Sequence, residues 1–220
     1  MIKVVAISDT HTYHDQLTLP IGDILLHAGD FTFRGKEKEV RDFGKWFSSI
    51  KGFKYKILVA GNHDQSFEGA TNAQALEWLY NGPINDSFTY LQDRAIILNI
   101  DNRQVKVYGS PWQPYFFNWA FNLQRGNDLK QIWKQIPDDT TILITHGPPY
   151  GILDECQDGA IVGCQDLEER IQELKQLKLH VFGHIHEAYG IEQRNGIYFA
   201  NACSCTAEYK IKNLPIIVEI

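Results

Sequence analysis

Short apolar runs rich in Val, Ile, Leu and aromatic residues recur along the chain, each about one strand long. They span Lys3 to Ile7, Asp23 to Ala28, Tyr55 to Ala60, Ala95 to Asn99, Gln104 to Tyr108, Thr141 to Thr145, Leu179 to Phe182, Ile197 to Ala200 and Ile216 to Glu219. Their length and β-branched content predict a strand for each. Helical periods lie between some of them. Val40, Phe43, Phe47 and Ile50 repeat at three- and four-residue steps within Lys36 to Ile50, and Leu167, Ile171, Leu174 and Lys178 share a second stripe. Ala75, Leu76, Trp78 and Leu79 predict a short third helix. Leu129, Ile132 and Trp133 predict a fourth, which Pro137 ends. Strands alternating with helices, then strands in succession, predict a layered α/β domain with mixed sheets. No repeat, low-complexity tract or linker interrupts the pattern, so a single domain over residues 1–220 is expected.

The polar residues are informative by position. Five of the apolar runs end in a cluster of Asp, His or Asn. These are Asp9-Thr10-His11, Gly29-Asp30, Gly61-Asn62-His63-Asp64, His146-Gly147-Pro148-Pro149 and Gly183-His184-Ile185-His186. The carboxyl ends of strands in α/β sheets open onto the binding crevice. Carboxylate, imidazole and amide oxygen suit Mn, Fe, Zn or Mg better than a thiolate metal site would. The side chains of this set are too many for one ion and fit two ions sharing a carboxylate. Any one Asp or His alone reads as a turn or packing residue. The five clusters together, each at a strand end, weaken that reading. His14, His27 and His180 fall outside the pattern and are read as ordinary packing residues.

Composition and charge narrow the partners. Of 220 residues, 44% are hydrophobic and 22% charged, as in a soluble globular protein, and the formal charge is −6. That balance argues against an extended nucleic-acid grip, which wants a basic face. No stretch approaches the roughly 20 apolar residues of a membrane span. The four cysteines lack zinc-ribbon spacing and nothing suggests export, so reduced thiols in the cytoplasm are expected.

The ordered set Asp9-x-His11, Gly29-Asp30, Gly61-Asn62-His63-Asp64, His146 and Gly183-His184-x-His186 resembles the calcineurin-like metallophosphoesterase superfamily. The stretches Gly109 to Pro114, Asn118 to Leu123 and Thr145 to Pro149 are similar to its metallophosphoesterase-domain-containing branch, associated with cyclic nucleotide hydrolysis. The resemblance implies a four-layer α/β sandwich of two mixed sheets flanked by helices. It implies two divalent ions, with Mn the leading expectation and Fe, Zn, Co or Mg the alternatives. Asp9, His11 and His186 would hold the first, Asn62, His146 and His184 the second, and Asp30 both. His63 would face the scissile phosphate, with Asp64 holding its imidazole.

The implied reaction is in-line attack on a phosphodiester by a hydroxide shared by the ions, with His63 protonating the leaving group. The expected substrate is a small phosphodiester or nucleotide. Phosphoprotein phosphatases of the superfamily carry an Asp where this chain has Phe33 and an Arg where it has Ala60. Arg34 survives as one phosphate clamp and leaves a phosphomonoesterase open. A metal-containing binding module with little turnover is the third reading. Trp112 and Phe116, in the aromatic run 112–121, and Asn201 are candidate substrate contacts. Each has a simpler reading as packing or a strand end. Two bound divalent ions would bring the net charge from −6 to about −2 and concentrate the gain in one cleft.

Overall fold

The computed structural model describes residues 1–220. The first half runs β1 (Lys3–Ile7), β2 (Ile24–His27), α1 (Glu37–Ser49), β3 (Tyr55–Leu58), α2 (Asn72–Leu79), β4 (Thr89–Tyr90), β5 (Arg94–Ile100) and β6 (Arg103–Ser110). The second runs β7 (Gln113–Pro114), β8 (Asn122–Leu123), α3 (Asn127–Trp133), β9 (Ile142–Thr145), α4 (Gln165–Glu173), β10 (Leu179–Phe182), β11 (Gly190–Arg194), β12 (Ile197–Asn201) and β13 (Ile216–Glu219). One sheet has the order β13-β1-β2-β3-β4 and the other β11-β12-β10-β9-β6-β5. Both are mixed: β1, β2 and β3 run parallel while β13 pairs antiparallel with β1, and β9 and β10 run parallel while β5–β6 and β11–β12 are antiparallel.

Alternation along the strands builds the layers. Val4, Ala6, Ile24, Leu26 and Ile57 of the first sheet meet Val107, Ile142, Ile144, Leu179 and Val181 of the second in a central core. The alternate residues Val5, Ile7, Leu25 and Leu58 face outward, against Val40, Phe43 and Phe47 of α1 and Ala75 and Leu79 of α2. On the far side Leu143, Phe182 and Phe199 pack on Leu129 and Trp133 of α3 and Leu167 and Ile171 of α4. The result is the expected four-layer sandwich of two mixed sheets with helices on both outer faces.

Local chemistry sets the helix ends. Glu39, in the first turn of α1, accepts from the backbone N–H groups of Phe33, Arg34 and Lys36. It thereby ties down the loop that follows Asp30. At the other end Lys56 Nζ donates to the carbonyls of Phe47, Ser48 and Ile50, groups a helix terminus leaves unsatisfied. Helix α4 stops at Glu173, so Lys178 leaves the stripe the sequence assigned it. No helix is long and apolar enough to cross a membrane.

Candidate metal centre

Five strand ends converge at one edge of the sandwich. Asp9 and His11 follow β1, Asp30 follows β2, Asn62 and His63 follow β3, His146 follows β9, and His184 and His186 follow β10. The backbone there is unusual. Asp9, His11, Asp30 and His184 all have φ between +40° and +70°, a region non-glycine residues enter rarely. Such turns aim side chains that a continuing strand would send to alternate faces, and their cost is held by surrounding contacts. Two glycines make room. A Cβ on Gly61 would lie 2.2 Å from Asp30 Oδ1, and one on Gly183 would lie 2.0 Å from Asp9 Oδ2.

Ligand-type atoms gather in three overlapping groups, each within 4.8 Å: Asp9, His11 and His186; His11, Asp30 and His63; Asp30, His146 and His184. The imidazoles are oriented from behind. Nδ1 of His11 lies 3.2 Å from Thr32 O, that of His186 3.0 Å from Thr206 O, and that of His146 2.9 Å from Ala28 O. A carbonyl only accepts, so each Nδ1 carries the proton and each Nε2 points inward, as in histidine metal sites. Inside, Nε2 of His11 and His186 are 3.3 Å apart, and His146 Nε2 is 2.9 Å from Asn62 Oδ1 and 3.4 Å from Asp30 Oδ2. Acceptors facing acceptors at these distances need positive charge between them, a proton or a cation. The donor set therefore fits divalent ions, with nitrogen and oxygen ligands and a shared carboxylate at its centre.

The titration behaviour points the same way. Burial opposes charge on His146, but the Asp30 and Asp9 carboxylates outweigh it and push the imidazole up to about 9. Burial dominates at His11 and His184, which fall to about 4 and about 3. Burial also works against the Asp9 and Asp30 carboxylates, yet the surrounding imidazoles hold both well below the usual range. Asp9 is further held by the His184 N–H and by the Cys203 thiol, whose sulfur is 3.1 Å from Oδ2.

The expected seven ligand residues are thus brought together, and His63 beside them. Asp64 is not where the sequence put it. Its carboxylate is buried and accepts from the backbone N–H groups of Asp30, Phe31, Thr32 and Gly61 and from the Thr32 hydroxyl. His63 Nδ1 instead donates to Phe33 O at 3.0 Å. The carboxylate points back into the loop it staples, away from the imidazole next to it in sequence. Trp112 is also a packing residue: its Nε1 donates to Asp93 Oδ2 and its ring packs edge-on to Phe121. Asn201 is buried, donating to the carbonyls of Leu153 and Ile185 and accepting from Cys203 N–H. Phe116 does line the cleft, with its ring edge-on to His184. Arg34 is exposed, its guanidinium 4.7 Å from the Trp119 ring centroid.

The cleft over the centre holds about 380 Å³ and is lined by Asp30, Asn62, His63, His184 and His186, with Tyr115 and Phe116 on one wall. Tyr209 also lines it, its ring against His11 and His186. The sequence offered no sign of Tyr209, which sits in a polar stretch far from any motif. Nor did it reveal His27, whose Nδ1 accepts from Gly29 N–H and whose Nε2 meets Thr10 Oγ1. The only available clue was that His27 lies two residues before Gly29.

Comparison with known proteins agrees with this geometry. A family model described as calcineurin-like phosphoesterase matches residues 2–188. The human protein named metallophosphoesterase domain-containing protein 1 is 39% identical over 99% of this chain and 71% of its own length. A 3′,5′-cyclic-nucleotide phosphodiesterase of Nostoc sp. is 25% identical over 83% of this chain and 63% of its own. The solved 5′-nucleotidase precursor of Thermus thermophilus shares the fold, with a TM-score of 0.50 at 13% identity. It aligns with 97% of this chain, which spans about half (48%) of that longer one. The chain belongs to the calcineurin-like phosphoesterase family, whose members hydrolyse phosphoesters.

Proposed function

We propose that this protein is a dinuclear metal-dependent phosphodiesterase acting on small diesters such as cyclic nucleotides. The observation that carries the reading is the position of Asp30. It sits between the His11 side and the His146–His184 side of the centre, with His63 Nε2 3.9 Å from its Oδ2. Asp9, His11 and His186 would hold one ion, Asn62, His146 and His184 the other, and Asp30 both. Manganese is the proposed pair, and the nitrogen and oxygen ligands also accept Fe, Zn, Co or Mg. When bound, the ions supply positive charge for the phosphate oxygens and lower the cost of deprotonating water.

The chain's own groups do the rest. Phe33 O keeps the proton on His63 Nδ1, so Nε2 is the atom that serves the leaving oxygen. Phe116 and Tyr209 wall the cleft with aromatic surface suited to a planar group. Arg34 adds positive charge over the face of Trp119. The cleft volume suits a small molecule, and the −6 charge offers no track for a polymer. The sequence similarity to a cyclic-nucleotide phosphodiesterase favours a diester over a monoester. All four thiols are free, which supports a reducing, cytoplasmic setting for a single domain of residues 1–220.

The test is hydrolysis of bis-p-nitrophenyl phosphate with added Mn²⁺, followed by a panel of 2′,3′- and 3′,5′-cyclic nucleotides, monoesters and short oligonucleotides. Chelator-sensitive turnover with diesters preferred is expected. His63→Ala should lower kcat on the cyclic nucleotides by about 10²–10⁴ with metal content retained. A preference for monoesters, or no turnover with Mn, Fe, Zn, Co or Mg, would overturn the reading.

A further inference from the structure

Four of the five tryptophans pack into a hydrophobic core: Trp46 and Trp78 against the α1–α2 layer, Trp133 in the α3–α4 layer, and Trp112 between them. Trp119 packs into none of these cores. Its indole instead lies parallel to the His63 imidazole, with ring centroids 4.2 Å apart and planes 25° from coincidence. The His11 ring meets His63 edge-on at 4.7 Å. With Nδ1 tied to Phe33 O, the imidazole is fixed by one hydrogen bond and two rings.

The loop that carries Trp119 is itself held rigidly. Asn122 Nδ2 donates to the carbonyls of Phe116, Phe117 and Trp119, and its Oδ1 accepts from Phe116 N–H. Ala120 N–H donates to Asn62 O, which joins the loop to the residue before His63. Phe121 is fully buried. Such anchoring is more than a surface aromatic needs for solubility. It suits a ring whose position matters to its neighbour.

We propose that Trp119 is a positioning residue for His63. Its face sets the plane of the imidazole and thereby aims Nε2 across Asp30 at the leaving oxygen. The Arg34 guanidinium over the same indole helps hold that ring in place. The inference rests on the leaving-group role given to His63 above. It assigns the aromatic run 112–121 a part in the reaction that is not base stacking. Trp119 touches neither ligand atoms nor phosphate in this scheme, and acts through ring stacking alone.

The experiment compares wild type, Trp119→Leu, Trp119→Phe, His63→Ala and the Trp119→Leu/His63→Ala double variant, all loaded with Mn²⁺ and assayed for metal content. Bis-p-nitrophenyl phosphate has a leaving group that needs little protonation, whereas a cyclic nucleotide releases an alkoxide that needs it. His63→Ala should lose rate selectively on the cyclic nucleotide. Trp119→Leu should show the same selectivity, losing on the order of 10- to 100-fold in kcat there while metal content holds. Trp119→Phe should retain most of the rate, and the double variant should be no slower than His63→Ala. In metal-free protein the His63 Cε1–H proton resonance, shielded by the indole, should move downfield in Trp119→Leu. Trp119→Gln replaces the Leu variant if that one does not fold. Equal losses on both substrates, additive losses, or an unmoved resonance would overturn the inference while leaving the His63 role intact. No selectivity in His63→Ala would remove the His63 role, and the inference with it.

Discussion

His180 Nε2 lies 2.8 Å from Thr145 Oγ1, beneath the turn that presents His146. The Thr145 hydroxyl donates to Gly147 O at 2.7 Å, so its oxygen accepts the His180 proton. His27 and Thr10 repeat the arrangement on the other sheet, beneath His11. Each sheet thus carries one buried, neutral histidine on its outer face, and each braces a threonine that adjoins a ligand residue.

Acid should therefore lower the stability of the fold below about pH 6.5. Burial depresses both His27 and His180 from 6.5 to about 3. Above pH 6.5 the folded and unfolded forms are both neutral at these residues. Between about 6.5 and about 3 only the unfolded form takes the proton, so stability falls as pH falls through that window. Urea midpoints of chelated protein should drop between pH 7.5 and pH 5. The drop should be smaller in His180→Gln. An equal drop in the variant would remove His180 from this account.

Asp30→Asn should lose metal before it loses structure. Oδ1 of Asp30 accepts the His63 N–H at 2.8 Å, a contact an amide oxygen can keep. The charge shared between the two halves of the centre is what disappears. Metal analysis after Mn²⁺ loading should show fewer than two ions per chain, with a circular dichroism spectrum like that of wild type. Full occupancy in the variant would contradict the shared role.

Asp64 should behave as a structural residue. Its carboxylate collects four backbone N–H groups and a hydroxyl from the loops of Asp30 and Asn62. Asp64→Ala leaves those donors buried and unpaired, at a cost of about 2–4 kcal/mol. Denaturant unfolding reads the loss. The variant should not share the leaving-group selectivity of His63→Ala, which a direct Asp64–His63 contact would require.

Gly183→Ala should disable the centre by displacement. The added methyl would meet Asp9 Oδ2 at 2.0 Å and Ser8 Oγ at 2.3 Å. Asp9 must move, and with it the pairing to His186 Nε2 at 3.2 Å. Calorimetric titration with Mn²⁺ should show one binding event weakened by at least about tenfold, the size expected when a supporting group of a metal site is lost.

The strands that form the sandwich were legible because buried parallel strands read as unbroken apolar runs. Lys3–Ile7 and Leu179–Phe182 fall where the pattern put them, and so does Ile216–Glu219, an antiparallel edge strand legible by its β-branched residues alone. β11 was not legible: Gly-Ile-Glu-Gln-Arg is an edge strand, mostly solvent-facing, with no apolar run to betray it. β4, β7 and β8 have two residues each, too few for any period. The expected ligand set was legible because each member follows a strand end, within two residues of a glycine or of another member. Trp119, His27 and His180 gave no such sign, and Asp64, inside the Gly61–Asp64 cluster, gave a misleading one. Their roles come from contacts made across loops and strands, and sequence neighbours misdirect the reading, as with Asp64 and His63.

The long reach of the Asp9 contacts has a consequence for how the fold forms. The groups that hold the Asp9 carboxylate lie 175 and 194 residues further along the chain, at His184 and Cys203. The strand before it finds β2 soon but waits for β13 to cover its other edge. Contacts of this span slow folding, because the intervening chain must be ordered first. The surroundings of Asp9 are thus complete only once β10 and the segment after β12 have docked against β1.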